Sequence, residues 1–242
     1  MPQLELAGHG ELLYINGNML NNNCFLITGI ADKESLAMYA AKEILAQGGT
    51  VVCTGLGETE FHKDLSDRAK AFLQKSYAEF EQAVKSTLPN SPCYKLDVTL
   101  DESIEAFAKA LKKADIKING LLHAIAMDKT IRGKKVKPLL EVTRAEFCDT
   151  MDVSAYSLVR LTHFLIKSDV LSPASLISTH SYIAAEKVTF HPYRNISIAK
   201  AALERITIEL ADQIGKMNGS NVNAIRFSPF LGSKAGNATL TD

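Results

Sequence analysis

CFLITGIADKESLAMYAAKEI, residues 24–44, changes character twice. Cys24 to Thr28 is an aliphatic run too short for a helix and reads as a buried strand. From Ser35 to Gln47 apolar residues return at three- and four-residue spacing, the period of a helix packed on one side. The loop between, Gly29 to Ser35, therefore joins a strand's carboxyl end to a helix N-terminus, where nucleotide folds meet a pyrophosphate. Only Gly29 survives of a GxGxxG pattern, so the loop alone is a weak signal, and Ser35 reads first as a helix N-cap.

The same alternation repeats downstream. Short apolar runs at 50–54, 93–97, 120–125, 174–178 and 221–227 read as strands. Helical patterns at 60–86, 101–114, 143–167 and 193–216 lie between or beside them. Parallel neighbours need crossover helices with right-handed connections, so the pattern predicts an α/β fold: a doubly wound parallel sheet of about six strands in three α/β/α layers. Ligands then collect at the carboxyl ends of the strands. No linker divides residues 1–242, which read as a single dinucleotide-binding domain with an appended N-terminal segment of about twenty residues.

The chain has 242 residues, 46% of them apolar, enough for a substantial core. Its 27 basic and 27 acidic residues cancel, so no global field draws it to nucleic acid or anionic lipid. Cys24, Cys53, Cys93 and Cys148 are scattered, without CxxC spacing, and are expected to be free thiols in a reducing compartment. With no leader-like N-terminus and no run of membrane-spanning length, a cytoplasmic location is expected, with neither membrane nor nucleic acid as partner. The six histidines show no ligand spacing, so no metal is expected. His180 and His191 read as hydrogen-bonded loop residues, and the basic run RGKKVK, 132–137, as a solvated loop.

After the second strand the chain reads CTGLGETEF, 53–61, with no aspartate at the strand tip and no arginine for a 2′-phosphate; NADH is favoured over NADPH on that ground. Chemistry concentrates in SYIAAEKVTFHPYRNISIAK, 181–200. Placed on one helix, Tyr193 and Lys200 differ by about 20° in azimuth and roughly 10 Å in height, and share a face. An ammonium there can grip a ribose diol, and a phenol can hydrogen-bond an oxygen that gains charge.

From 19 to 229 the sequence resembles the enoyl-acyl-carrier-protein reductases, a divergent branch of the short-chain dehydrogenase/reductases with a Rossmann-like fold. The matching stretches are TGIADKESLA (28–37), LDVT (96–99), HAIAMD (123–128), STHSYIAAEKVTFHPYRNISIAKAALE (178–204) and VNAIRFSP (222–229). Six residues between Tyr193 and Lys200, against three in most short-chain dehydrogenases, are fairly specific to this branch.

The resemblance implies that Gly29, Ala31, Ser35 and Leu36 line the pyrophosphate and ribose, and that Asp97 and Val98 contact adenine. Ile125 and Ala126 would present backbone to adenosine, Ser181 would lie beside the nicotinamide, and Phe230 would receive its carboxamide. Lys200 would hold the nicotinamide ribose, with Tyr182, Tyr193 and Lys200 as the catalytic set. It further implies NADH-dependent reduction of the trans-2 double bond of an enoyl thioester, on acyl carrier protein or coenzyme A, in fatty-acid biosynthesis, by a homodimer or homotetramer.

Three features depart from the family pattern: Ser228 stands for the glycine before Pro229, Gly232 stands for a downstream threonine, and the sequence given ends at Asp242, short of a substrate-covering lid and a seventh strand. Two other readings therefore stay open: a catalytically impaired relative that binds nucleotide or a protein partner, and a reductase of ketones or sugar-derived carbonyls.

Overall fold

The computed structural model describes residues 19–132, 135–189 and 193–227. In chain order the strands are β1 (Cys24–Ile27), β2 (Thr50–Gly55), β3 (Cys93–Lys95), β4 (Ile118–His123), β5 (Ile131–Arg132), β6 (Lys135–Val136), β7 (Leu171–Tyr182) and β8 (Asn221–Phe227). The helices are α1 (Leu36–Ala46), α2 (Asp67–Thr87), α3 (Asp101–Lys113), α4 (Arg144–Met151), α5 (Ser157–Lys167) and α6 (Arg194–Asn218). Six strands form one parallel sheet in the order β3-β2-β1-β4-β7-β8, the doubly wound, Rossmann-like arrangement expected. β5 and β6 make a separate antiparallel ribbon, so the described part of 132–137 is a hairpin rather than a loop.

Strand alternation sorts the core into two layers. Leu26, Val52, Leu121, Ile177 and Val222 face Ile104, Leu111, Leu158, Leu161 and Leu203 of α3, α5 and α6. Ile27, Val51, Cys53 and Leu122 point the other way, against Met38 and Ala41 of α1 and Phe80 and Val84 of α2. That second layer stops at β4: on β7 and β8, Leu176 and Ile225 are 46% and 44% exposed.

Four sequence expectations need correction. The helix read over 60–86 begins only at Asp67, where Ser66 Oγ caps the Ala69 N–H at 3.3 Å. Upstream, Asp64 adopts φ +57°, which ends any helix, and the Thr59 N–H donates to His62 Nδ1 at 2.9 Å. The helix read over 143–167 is interrupted by a π turn at Asp152–Tyr156. β7 runs well beyond 174–178 because β4 and β8 pair along it, with a bulge near Ala174 at φ +55°. Tyr193 lies outside α6 as its N-cap, ψ 52°, its carbonyl accepting the Ser197 N–H at 2.7 Å. The shared-face argument for Tyr193 and Lys200 therefore fails as stated.

The layering predicts an asymmetry across one strand. Ile177→Ala should cost about 2–5 kcal/mol in urea unfolding, and Leu176→Ala, one residue away on the open face, less than about 1 kcal/mol. Equal costs would contradict the facial assignment.

Candidate active site

A cleft of about 780 Å³ opens at the carboxyl ends of β1 to β4. The loop after β1 forms its floor. Gly29 sits at φ +78°, and a Cβ there would stand 2.1 Å from the Ala124 carbonyl oxygen. Both the left-handed backbone and the contact with the end of β4 exclude any other residue without rearrangement. Thr28 ties the same two strands, its hydroxyl donating to the Leu122 carbonyl at 2.9 Å and accepting the Ala124 N–H at 3.3 Å.

Gly29, Ala31, Asp97, Val98, Ile125 and Ala126 all line this cleft. Ser35 and Leu36 are not among its lining residues. The Ser35 hydroxyl accepts the Met38 N–H at 3.3 Å and donates to the Asp32 carbonyl at 2.9 Å, so it serves as the cap of α1. Asp97 Oδ1 accepts from the Thr99 N–H at 2.9 Å and hydroxyl at 2.7 Å. Its Oδ2 accepts from His62 Nε2 at 3.0 Å, because Nδ1 already accepts the Thr59 N–H. His62 thus pins the connection between β2 and α2 to the end of β3, a long-range closure that periodicity does not reveal.

Lys200, Tyr182 and Tyr193 are not among the residues that line this cleft. Lys200 is 5% exposed, and its Nζ donates to the carbonyl of Ile125, a cleft-lining residue, at 3.2 Å. Burial pulls its pKa down to about 8, so it is still mostly charged at neutral pH. The rings of Tyr182 and Tyr193 meet edge to face with centroids 5.9 Å apart. Tyr182 Oη lies 3.4 Å from Ser197 Oγ, whose hydroxyl donates to the Tyr193 carbonyl at 2.6 Å. The tyrosines converge through ring packing and Ser197 rather than through two turns of helix. Phe230, with Ser228, Pro229, Gly232 and Ser233, lies outside the described residues, as does His191.

Two networks around this cluster were not read from the sequence. His123, fully buried at the end of β4, has Nε2 2.8 Å from Ser157 Oγ and Nδ1 3.1 Å from Thr179 Oγ1. Ser157 donates to the Val153 carbonyl at 2.7 Å and Thr179 to the His123 carbonyl at 3.0 Å, so both hydroxyls that face the ring already donate to backbone. Burial, then the Lys200 charge, pushes the His123 pKa down to about 3; the same two causes bring His180, a β7 residue that meets Phe227 edge to face, to about 4. In the second network Glu204 accepts Arg226 Nε at 2.8 Å and a second guanidinium N–H at 2.7 Å, and also the Ser181 hydroxyl at 2.6 Å. Arg226 also pairs with Glu186. The end of β8, the loop after β7 and α6 are locked together beside Tyr182. Arg226 first, and Ser181 less, hold the Glu204 carboxyl below its ordinary range.

The sequence profile of the enoyl-(acyl carrier protein) reductase family matches residues 29–238. The chain belongs to that family. An enoyl-[acyl-carrier-protein] reductase [NADH] of Enterococcus faecalis is 31% identical over 219 residues, 89% of this chain and 78% of the relative. A Staphylococcus aureus relative, 30% identical over 87% of this chain and 74% of its own length, is named for NADPH. The crystal structure of the Aquifex aeolicus enoyl-[acyl-carrier-protein] reductase (NADH) superposes with a TM-score of 0.72 at 30% identity, covering 90% of this chain and 78% of that one. Among the described residues of this reductase-family chain, no helix is long and apolar enough to cross a membrane.

The buried neutral His123 sets an acid limit. Unfolded, its ring takes a proton near pH 6.5; folded, only near 3. Its contribution to stability is complete above about 6.5 and is lost as pH falls toward 3. The loss is about 1.4 kcal/mol per pH unit, roughly 2 kcal/mol by pH 5. Urea unfolding at pH 7 and pH 5 should show this loss in the wild type and a smaller one in His123→Gln; equal losses would contradict the assignment.

Proposed function

We propose that this chain reduces the trans-2 double bond of an enoyl thioester with NADH, the thioester being carried on acyl carrier protein or coenzyme A, in fatty-acid biosynthesis. The observation that carries the reading is the Lys200 ammonium donating to the carbonyl of Ile125, a residue of the cleft wall, with Tyr182 and Tyr193 paired ring to ring and tied through Ser197 to the same helix. The cleft fits a dinucleotide on its own terms. The approach of Gly29 to Ala124 leaves backbone, with no Cβ, on the floor beneath a helix N-terminus.

Bound NADH supplies a hydride to Cβ of the substrate. Lys200 holds the nicotinamide ribose by its diol and so aims the reducing face. The Tyr193 phenol donates a hydrogen bond to the thioester oxygen as enolate charge builds there, the group that must be stabilised for Cβ attack. Water then delivers the Cα proton. Tyr182, edge-on to Tyr193, shapes the acyl end of the site. Ser181, committed to Glu204, fixes the backbone beside the nicotinamide. Asp97 and Val98 border the adenine, and Ala31 and the α1 terminus capped by Ser35 border the pyrophosphate. A homodimer or homotetramer through α4–α5 and α6 is supported by Tyr156, in the π turn between α4 and α5, and Ile208 of α6, which are 48% and 58% exposed. We read the chain, 1–242, as one dinucleotide-binding domain with an appended N-terminal segment.

Turnover tests the reading: NADH should be consumed with crotonyl thioester and not with acetoacetyl thioester. Tyr193→Phe should lower kcat about 10²-fold or more with NADH affinity little changed. Cofactor binding without turnover on either substrate would favour an impaired relative.

Lys200 gives a second, pH-dependent check. NADH affinity should weaken as pH rises through about 8, where the ammonium that grips the ribose loses its proton. Stability moves oppositely. The cost of burying the charge is full below 8 and is relieved between 8 and the unfolded value near 10.4. Lys200→Met should abolish both slopes; a wild-type affinity flat from pH 7 to 9 would remove the ribose-gripping role.

A further inference from the structure

In dinucleotide folds the end of the second strand reads the adenosine ribose: an acid there accepts from the 2′-hydroxyl, and a cation nearby accommodates a 2′-phosphate. Here β2 ends at Gly55, and no side chain can stand in that place. A Cβ on Gly55 would lie 2.3 Å from Phe80 Cδ1 and 2.5 Å from Cγ. Phe80 is a buried α2 residue, packed with Ala83 and Val84 in the layer against β1 and β2. The ring that forbids a strand-end acid also fixes the rotation of α2. With Leu73, Phe80, Ala83 and Val84 turned inward, the adjacent face carries Ser76 and Glu79, three residues apart, to the cleft beside Thr54, Gly55 and Leu56.

We propose that Glu79, delivered by α2, takes over the part of the missing strand-end acid: its carboxylate accepts from the adenosine 2′-hydroxyl and repels a 2′-phosphate, making the site selective for NADH. The inference rests on the reading that this cleft takes NADH. Family membership does not decide the matter, since relatives of about 30% identity carry either cofactor in their names. The choice must be made by local residues.

The rest of the wall carries the same sign. Asp97, Asp149 and Asp152 also line the cleft, and among the described lining residues the single cation, Lys129, pairs with Asp149 at 2.6 Å. The Asp152 carboxyl is raised above its ordinary range, by burial first and then by Asp149, Asp97 and Asp101. Glu79 Oε1 stands 3.9 Å from Lys75 Nζ in an exposed i,i+4 pair. Such an exposed pair contributes little.

Isothermal titration of the full chain with NADH and NADPH decides the matter, and needs no substrate. The wild type should bind NADH at least about tenfold more tightly. Glu79→Gln should weaken NADH by about three- to tenfold while NADPH is unchanged or tighter, shrinking the ratio of the two Kd values at least about fivefold. Glu81→Gln removes the same charge from α2 outside the cleft lining and should leave the ratio at its wild-type value. A ratio unchanged in folded Glu79→Gln, with normal NADH binding by the wild type, overturns the role of Glu79 and leaves the enzyme reading intact. An equal shift in Glu81→Gln overturns it too, since net charge rather than position would then be responsible. No binding of either cofactor by the wild type overturns both together.

Discussion

Everything in this site hangs on one close approach of backbone to backbone, where the loop after β1 meets the end of β4 at Gly29 and Ala124. The chain winds outward from β1 through β2 to β3, then returns to place β4 on the other side of β1. At that reversal the connections leave in opposite directions and the crevice opens between them. A residue with a Cβ at position 29 would push the loop off β4 and separate the floor of the cleft from Ile125. Because Ile125 presents its carbonyl to Lys200, the same contact sets the distance between the cleft and the buried ammonium.

The electrostatics follow from that geometry. One ammonium is buried among groups that cannot share its charge: His123 and His180 are both held neutral by burial and by Lys200 itself. A carboxylate close enough to neutralise Lys200 would remove the incentive to bind a ribose diol. Glu204, one turn along α6, is instead turned away to Arg226 and Ser181. The helix therefore separates two tasks four residues apart, with the lysine serving the cleft and the glutamate fastening β8 and the loop after β7.

Much of this was legible in the sequence, for identifiable reasons. β1, its loop and α1 are local, and the change of hydrophobic period marks them; β8 runs over Asn221–Phe227 as read. Gly29, Ala31, Asp97, Val98, Ile125 and Ala126 were named through the family resemblance, and all six line the cleft at strand ends, where the fold gathers ligands. What escaped depends on partners distant in sequence. The late start of α2 follows from His62 reaching Asp97, and the ties of Glu204 to Arg226 and Ser181 join residues far apart in the chain. Tyr193 looked like a helical residue because nothing nearby in sequence shows that its ring would pack against Tyr182.

The central claim is that the crevice between β1 and β4 is a dinucleotide site built on a glycine. Calorimetric titration of NADH into the wild type and into Gly29→Val tests it most directly. The account predicts one NADH bound per chain by the wild type, and none by the folded variant under the same conditions. Undiminished affinity in Gly29→Val would contradict it, because the cofactor would then lie somewhere this contact does not control.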